Sequence, residues 1–123
     1  PRSTHRHTLF PYTTLFRSLT LRRSAPDARP ALVCDAVRNL VLEGVAVQGP
    51  EAEFPAIVFQ RVENAWLRGC RALSPLAVFL RLGDGTRDVS LTGSDLRSAR
   101  NAVEFDPPEL KNTFFESSNR LSQ

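Results

Sequence analysis

Two aspartates flank a glycine-rich turn: Asp84, inside GDGT (Gly83–Thr86), and Asp88, two residues beyond it. Inverting hydrolysis of a glycosidic bond needs a carboxylic acid at the leaving oxygen and a carboxylate to activate water, about 6.5–9.5 Å apart. Asp84 sits where a tight turn favours Asp beside Gly, and Asp88 occupies a recurring Asn/Asp position, so both read as structural and no catalytic residue is assigned. Glu51 and Glu53, just before Phe54, read as the edge of a solvated loop. Trp66 offers an aromatic face to a sugar ring. By strand alternation it points outward beside Val41 and Phe114, as Val33, Val58 and Phe79 also do, which predicts an apolar outer face on which another segment packs. Arg22, Arg23, Arg68, Arg71 and Arg81 could meet a polyuronate, yet acidic residues are interleaved with them and a solvated face is expected. Cys34 and Cys70 lie in apolar runs without CxxC spacing and read as small buried thiols, with no metal or cofactor site.

The first eighteen residues, PRSTHRHTLFPYTTLFRS, differ in character from the rest. From Thr8 to Ser18 they match, codon for codon, the translation of a common sequencing-adapter read, and Pro1–Thr4 match its upstream part. Residues 1–18 are therefore set aside as adapter-derived, and 19–123 are taken as coils of a longer protein whose start and any signal peptide lie outside the sequence. Setting them aside removes Arg2, Arg6 and Arg17, both histidines and Tyr12, leaving 13 basic against 13 acidic residues. A neutral chain gives no warrant for binding nucleic acid or an anionic membrane, and neither partner is expected. No apolar run approaches the roughly 18 residues of a membrane span.

The chain is repetitive. PALVCDAVRNLVLEGVAV from Pro30, PAIVFQRVENAWLRGCRA from Pro55, LAVFLRLGDGTRDVSLTGSDL from Leu76 and NAVEFDPPELKNTFFESSNRL from Asn101 are versions of one unit, and Leu19–Leu21 falls where Val45–Val47 stands one period later. Asn39, Asn64, Asp88 and Asn112 recur, as do Gly44, Gly69, Gly93 and Ser117. A unit of about 24 residues with alternating apolar positions has no room for a long helix. The inward columns are expected to be Leu32, Ile57, Val78, Val103; Cys34, Phe59, Leu80, Phe105; Leu40, Ala65, Val89, Thr113; Leu42, Leu67, Leu91, Phe115; Val45, Cys70, Ser94; and Val47, Ala72, Leu96. Three short strands per coil, each stacked on its counterpart, predict an all-β right-handed parallel β-helix of about four coils.

Asn and Asp tolerate the left-handed conformation of a sharp bend and can form side-chain ladders. The glycines are expected at a second bend, where a side chain would crowd the next coil. GDGT and GPEAEFP (Gly49–Pro55) lengthen two turns. A leucine-rich repeat shares the period but would carry LxxLxLxxN spacing and a helical return, and a β-sandwich of short strands is the other alternative.

APDARPALVCDAVRNLVLEGVAVQG, the FLRLGDGT turn and the TGSDLRSARNAVEF segment resemble the C-terminal coils of bacterial polygalacturonase-like proteins, glycoside hydrolase family 28, within the pectin-lyase-like β-helices. The resemblance spans roughly residues 19–121. It implies a parent that cleaves α-1,4-linked galacturonan by inverting hydrolysis, a polysaccharide partner, and a secreted or periplasmic setting. The family's N-T-D, D-D, G-H-G and R-I-K motifs do not occur: Asn112-Thr113 is followed by Phe114, no two aspartates are adjacent, and Lys111 follows Leu110. What the resemblance implies is therefore a non-catalytic piece of such an enzyme. A pectate-lyase-like β-helix and a non-enzymatic binding or adhesion solenoid are the alternatives.

Overall fold

The computed structural model describes the backbone of residues 5–7 and, with side chains, residues 14–22, 30–49 and 54–122. Three strands make each rung of a parallel β-solenoid. The first rung is β1 (His5–His7), β2 (Thr14–Arg17) and β3 (Thr20–Arg22); the second is β4 (Leu32–Asp35), β5 (Arg38–Glu43) and β6 (Ala46–Gln48). The third is β7 (Ile57–Gln60), β8 (Glu63–Arg68) and β9 (Arg71–Ala72); the fourth is β10 (Leu76–Leu82), β11 (Arg87–Thr92) and β12 (Asp95–Leu96). The fifth is β13 (Ala99–Phe105), β14 (Phe114–Ser117) and β15 (Arg120–Leu121), with a 3₁₀ segment, Pro108–Thr113, between the first two. Stacking gives three five-stranded sheets in which every pairing is parallel. The chain is thus an all-β parallel solenoid of about four turns, as its repeats predict. None of its described helices is long and apolar enough to cross a membrane.

Residues 5–7 and 14–17, within the segment set aside above, supply two strands of the first rung. Thr14–Arg17 runs in register on Leu40–Glu43, and Phe16 packs against the core. An open edge of backbone donors and acceptors pairs with any extended segment, so this stacking is indifferent to the origin of residues 1–18. Leu9, Phe10 and Arg23 lie outside the described residues, as do Glu51 and Glu53.

The core is one cluster running down the solenoid axis, because no rung can bury its own side chains and each shields its neighbours. The expected columns stand over much of the stack: Leu40 on Ala65 on Val89, Leu42 on Leu67 on Leu91, and Leu21 on Val47 on Ala72. Four of the six lose one expected member, two in the fourth rung and two in the fifth. In the fourth rung Leu80 pairs with Ile57 and Leu82 with Phe59, displacing Val78 and Leu80 from the expected places, and Val78 stands opposite Asn101. β10 continues two residues further, to Leu82 at the edge of the GDGT turn, and that corner is lengthened by one residue. In the fifth rung Phe114 pairs with Val89 and Glu116 with Leu91, so Thr113 and Phe115 leave the inner face. The 3₁₀ segment shifts β14 by one residue, and a one-residue shift in a strand exchanges its faces. Phe79 is fully buried and belongs to the core cluster, while Val33 and Val58 on the same sheet are half-buried.

The bends that leave the first and second strands of a rung are built largely on left-handed backbone. Asn39, Asn64 and Asp88 have φ of 57, 61 and 59°, and Asn64 Nδ2 donates to Asn39 Oδ1 at 2.7 Å. Asn112 does not join them, because it is drawn into the 3₁₀ segment. The next bend stacks Ser18, Gly44, Gly69, Gly93 and Ser118, all at positive φ, each of the first four donating its N–H to the carbonyl one rung on at 2.9–3.1 Å. Ser118, rather than Ser117, completes that column. Crowding is not why glycine recurs there: a Cβ on Gly93 would meet nothing within 4 Å, and on Gly69 only one backbone atom, at 3.9 Å. The left-handed φ is what selects it. A bend not foreseen holds Ala36 and Arg61 at φ 60 and 53°, beside the buried Val37, Val62 and Thr86.

Candidate functional site

A solenoid offers ligands its outer faces and its turns. On the outside of the first sheet, at its junction with the GDGT turn, an open groove is lined by Val58, Gln60, Arg81, Gly83, Asp84, Asp106 and Pro107. Arg81 is committed there to Asp106 and lies 3.7 Å from Glu104. The carbonyl of Asp84 accepts the N–H of Arg61 at 3.0 Å, which makes this aspartate part of the turn's scaffolding. Asp88 holds its left-handed bend on the second sheet, so the two aspartates flanking GDGT serve different corners. Beneath the turn the buried Asp35 pairs with Arg61 of the next rung.

The outside of the second sheet carries a ladder of Leu15, Val41, Trp66, Ser90 and Phe115, in register from rung to rung. Trp66 is 43% exposed and Phe115 64%. Trp66 is not free to present both faces to a sugar: Arg68 lies over its ring, 4.4 Å from the centroid, and its Nε1 donates to Thr92 Oγ1 at 2.9 Å. Its neighbour in the fourth rung is Ser90, and in the fifth the shift in β14 puts Phe115, not the expected Phe114, on this outer ladder. Beside this ladder runs a charged one. Glu43 lies 3.2 Å from Arg17 and 3.3 Å from Arg68, the latter an ion pair without hydrogen-bond alignment at Arg68 Nε. Glu63 lies 3.7 Å from Arg38 and 3.5 Å from Arg87.

The third sheet is narrow, with strands of two or three residues. Arg71, Asp95 and Arg120 form one outward column, and Arg22 and Arg97 also stand on this face. Arg97 donates to both carboxylate oxygens of Asp95 at 2.9 Å, and this pairing holds the Asp95 carboxyl below its ordinary range. An open hollow of about 390 Å³ lies between Arg71, Ala72, Leu73, Asp95, Arg97 and Ser98.

The C-terminal end of the stack holds a further hollow of about 340 Å³, lined by Ala102, Val103, Phe105, Lys111, Phe114, Glu116 and Leu121. It is the inner surface of the fifth rung, and Phe105 meets Phe114 edge to face with centroids 5.3 Å apart. Asn119 closes one corner of this end. Its Oδ1 accepts the Ser94 N–H at 2.9 Å, and its Nδ2 donates to the Leu91 carbonyl at 2.8 Å. Both cysteines are buried and unpaired, and burial pushes the Cys34 thiol up to about 12 and Cys70 to about 11. Among the described residues no three His, Cys, Asp or Glu side chains are grouped as metal ligands.

These features define the chain as a parallel β-solenoid whose charged side chains are organised rung by rung. No family model, curated protein or solved structure matches it.

Proposed function

We propose that these coils are the scaffold portion of a carbohydrate-active β-helix protein of polygalacturonase type, supplying shape and stability while catalysis belongs to other coils of the parent. The observation that carries this reading is where the carboxylates go. Asp35, Glu43, Glu63, Asp95, Glu104 and Asp106 are each spent on an arginine, five of them on an arginine of a neighbouring rung. A general acid and base must instead converge on one substrate position with their proton-transfer capacity free. The period, the left-handed Asn ladder and the resemblance to glycoside hydrolase family 28 support the choice of parent.

Two measurements test it. The purified chain incubated with polygalacturonate should release no reducing ends above a buffer blank; release that disappears in Asp84→Asn or Asp88→Asn overturns the scaffold reading. Independent sequencing of the source locus should find N-T-D, D-D, G-H-G and R-I-K motifs upstream of Leu19. A calcium-binding acidic cluster with a basic arginine or lysine there would point to a pectate-lyase-like parent, and bare repeats to a binding solenoid.

A further inference from the structure

We propose that the outer face of the third sheet is a binding site for a linear anionic polysaccharide, bearing carboxylate or sulfate groups, held by Arg71, Arg97 and Arg120 with Arg22 further along the same stripe. The proposal rests on charge placement and on the hollow beside it, independent of the hydrolase reading. The third sheet carries these four arginines and a single acid, Asp95, in its strands and at their ends. Neither Arg71 nor Arg120 makes an ion pair with any other described residue, whereas Arg17, Arg38, Arg61, Arg68, Arg81 and Arg87 elsewhere all do.

The solenoid sets the geometry. Strands in a sheet lie about 4.8 Å apart, so Arg71 and Arg120, two rungs apart, present guanidinium groups from Cα positions roughly 10 Å apart along the stack axis. Arg97 belongs to the rung between them, in the turn just past the end of β12, and is fixed by two hydrogen bonds to Asp95. Its remaining donors are thereby held in place, and a guanidinium fork suits carboxylate and sulfate oxygens alike. The hollow between Arg71, Arg97 and Ser98 gives one sugar unit a seat, with Leu73, 45% exposed, as an apolar wall for its C–H face. A stripe only two or three residues wide fits one extended chain running along the axis rather than a nucleic-acid duplex.

The test is affinity electrophoresis of the purified chain in gels containing polygalacturonate, heparin, highly methyl-esterified pectin or single-stranded DNA. Retardation by polygalacturonate alone identifies a uronate ligand, by heparin alone a sulfated one, and by both a site reading charge; all three support the proposal. Arg71→Ser/Arg120→Ser should weaken that retardation at least tenfold, each single substitution about threefold, and 0.5 M NaCl should abolish it, since exposed charges are screened over a few ångströms at that ionic strength. Arg38→Ser/Arg87→Ser on the second sheet should change it less than twofold. Circular dichroism confirms that each variant is folded, and the single substitutions serve if the pair is not. Equal retardation by the neutral pectin, tighter binding of DNA than of either polysaccharide, or an unchanged affinity in the folded Arg71/Arg120 variants overturns the proposal.

Discussion

The second and third sheets share one core and one repeat, yet their outer faces treat charge in opposite ways. On the second sheet a glutamate stands one rung from an arginine on either side, and Glu43 and Glu63 each reach both neighbours. On the third sheet the corresponding column is Arg71, Asp95, Arg120, the same alternation with a shorter acid. Asp95 is taken by Arg97 of its own coil, two residues away; it makes no ion-pair contact with Arg71 or Arg120 of the adjacent rungs and acts on Arg120 only through space. One methylene and one competing arginine separate a self-neutralised ladder from a cationic stripe. A net charge read over a whole chain conceals such a division, because neutrality on one face and excess on another sum to the same total.

The two faces rest on a common interior, so core truncation should be blind to which face it lies under. Leu67 under the second sheet and Leu96 under the third are both fully buried. Leu67→Ala and Leu96→Ala should each cost about 2–5 kcal/mol in urea unfolding. A large loss from one and none from the other would show that the rungs do not melt as one unit.

In the fifth rung, where the second sheet turns into the third, the Asn119 side chain reaches back to the fourth rung, as Ser94 Oγ reaches back to the Cys70 N–H of the third. Asn119→Ala leaves the Ser94 N–H and the Leu91 carbonyl without these partners and should cost about 1–3 kcal/mol, the penalty for unsatisfied buried groups. Hydrogen exchange should show the loss as faster exchange confined to β11, β12 and β15, whereas an effect spread evenly over the stack would contradict a local role in joining the fourth and fifth rungs.

How much of this was legible in the sequence follows from turn lengths. The columns through Leu40, Leu42, Val45 and Val47 could be aligned by eye because the coils of the second and third rungs have equal corners. The shifts at Val78 and at Phe115 arise where a corner changes length, at GDGT and at PPELKN, and alternation alone cannot say whether extra residues extend a strand or a turn. Ala36 and Arg61 at positive φ carry no compositional signal, since neither residue type announces that conformation. The charge ladders were available: Arg17, Glu43 and Arg68 recur at one-coil spacing, as do Arg38, Glu63 and Arg87 and Arg71, Asp95 and Arg120. Reading the arginines as a group rather than column by column hid the difference between faces.

The buried thiols sharpen the contrast between a common interior and divergent surfaces. Burial disfavours the thiolate in the folded chain, so the unfolded chain ionises first, near the ordinary value of 9.0, while Cys34 and Cys70 hold their protons to about 12 and 11. The unfolded state therefore binds fewer protons above pH 9, and stability falls as pH rises from 9 until the folded thiols ionise. Cys34→Ala/Cys70→Ala should flatten that decline in denaturant titrations between pH 8 and 10. In the native protein at pH 8, neither cysteine should react with a thiol reagent that labels both after unfolding.

The smallest effect on stability is the one that tests the comparison of faces most directly. Glu43→Gln removes the charge that joins Arg17 to Arg68, and Glu63→Gln removes the one that joins Arg38 to Arg87. These side chains are partly exposed, and the four pairs, at about 0.5 kcal/mol or less each, put the loss in the double variant below about 2 kcal/mol, so it should remain folded. Its consequence for binding should be larger. Four arginines of the second sheet would lose their carboxylate partners and resemble Arg71 and Arg120, giving the solenoid a second cationic stripe. Retardation in polygalacturonate or heparin gels should then increase several-fold and persist in part when Arg71→Ser/Arg120→Ser is added. If the double glutamine variant gains nothing, unpaired arginines on a rung ladder are not sufficient for binding, and the third sheet's preference must come from the hollow beside Leu73 and Ser98 rather than from its charge.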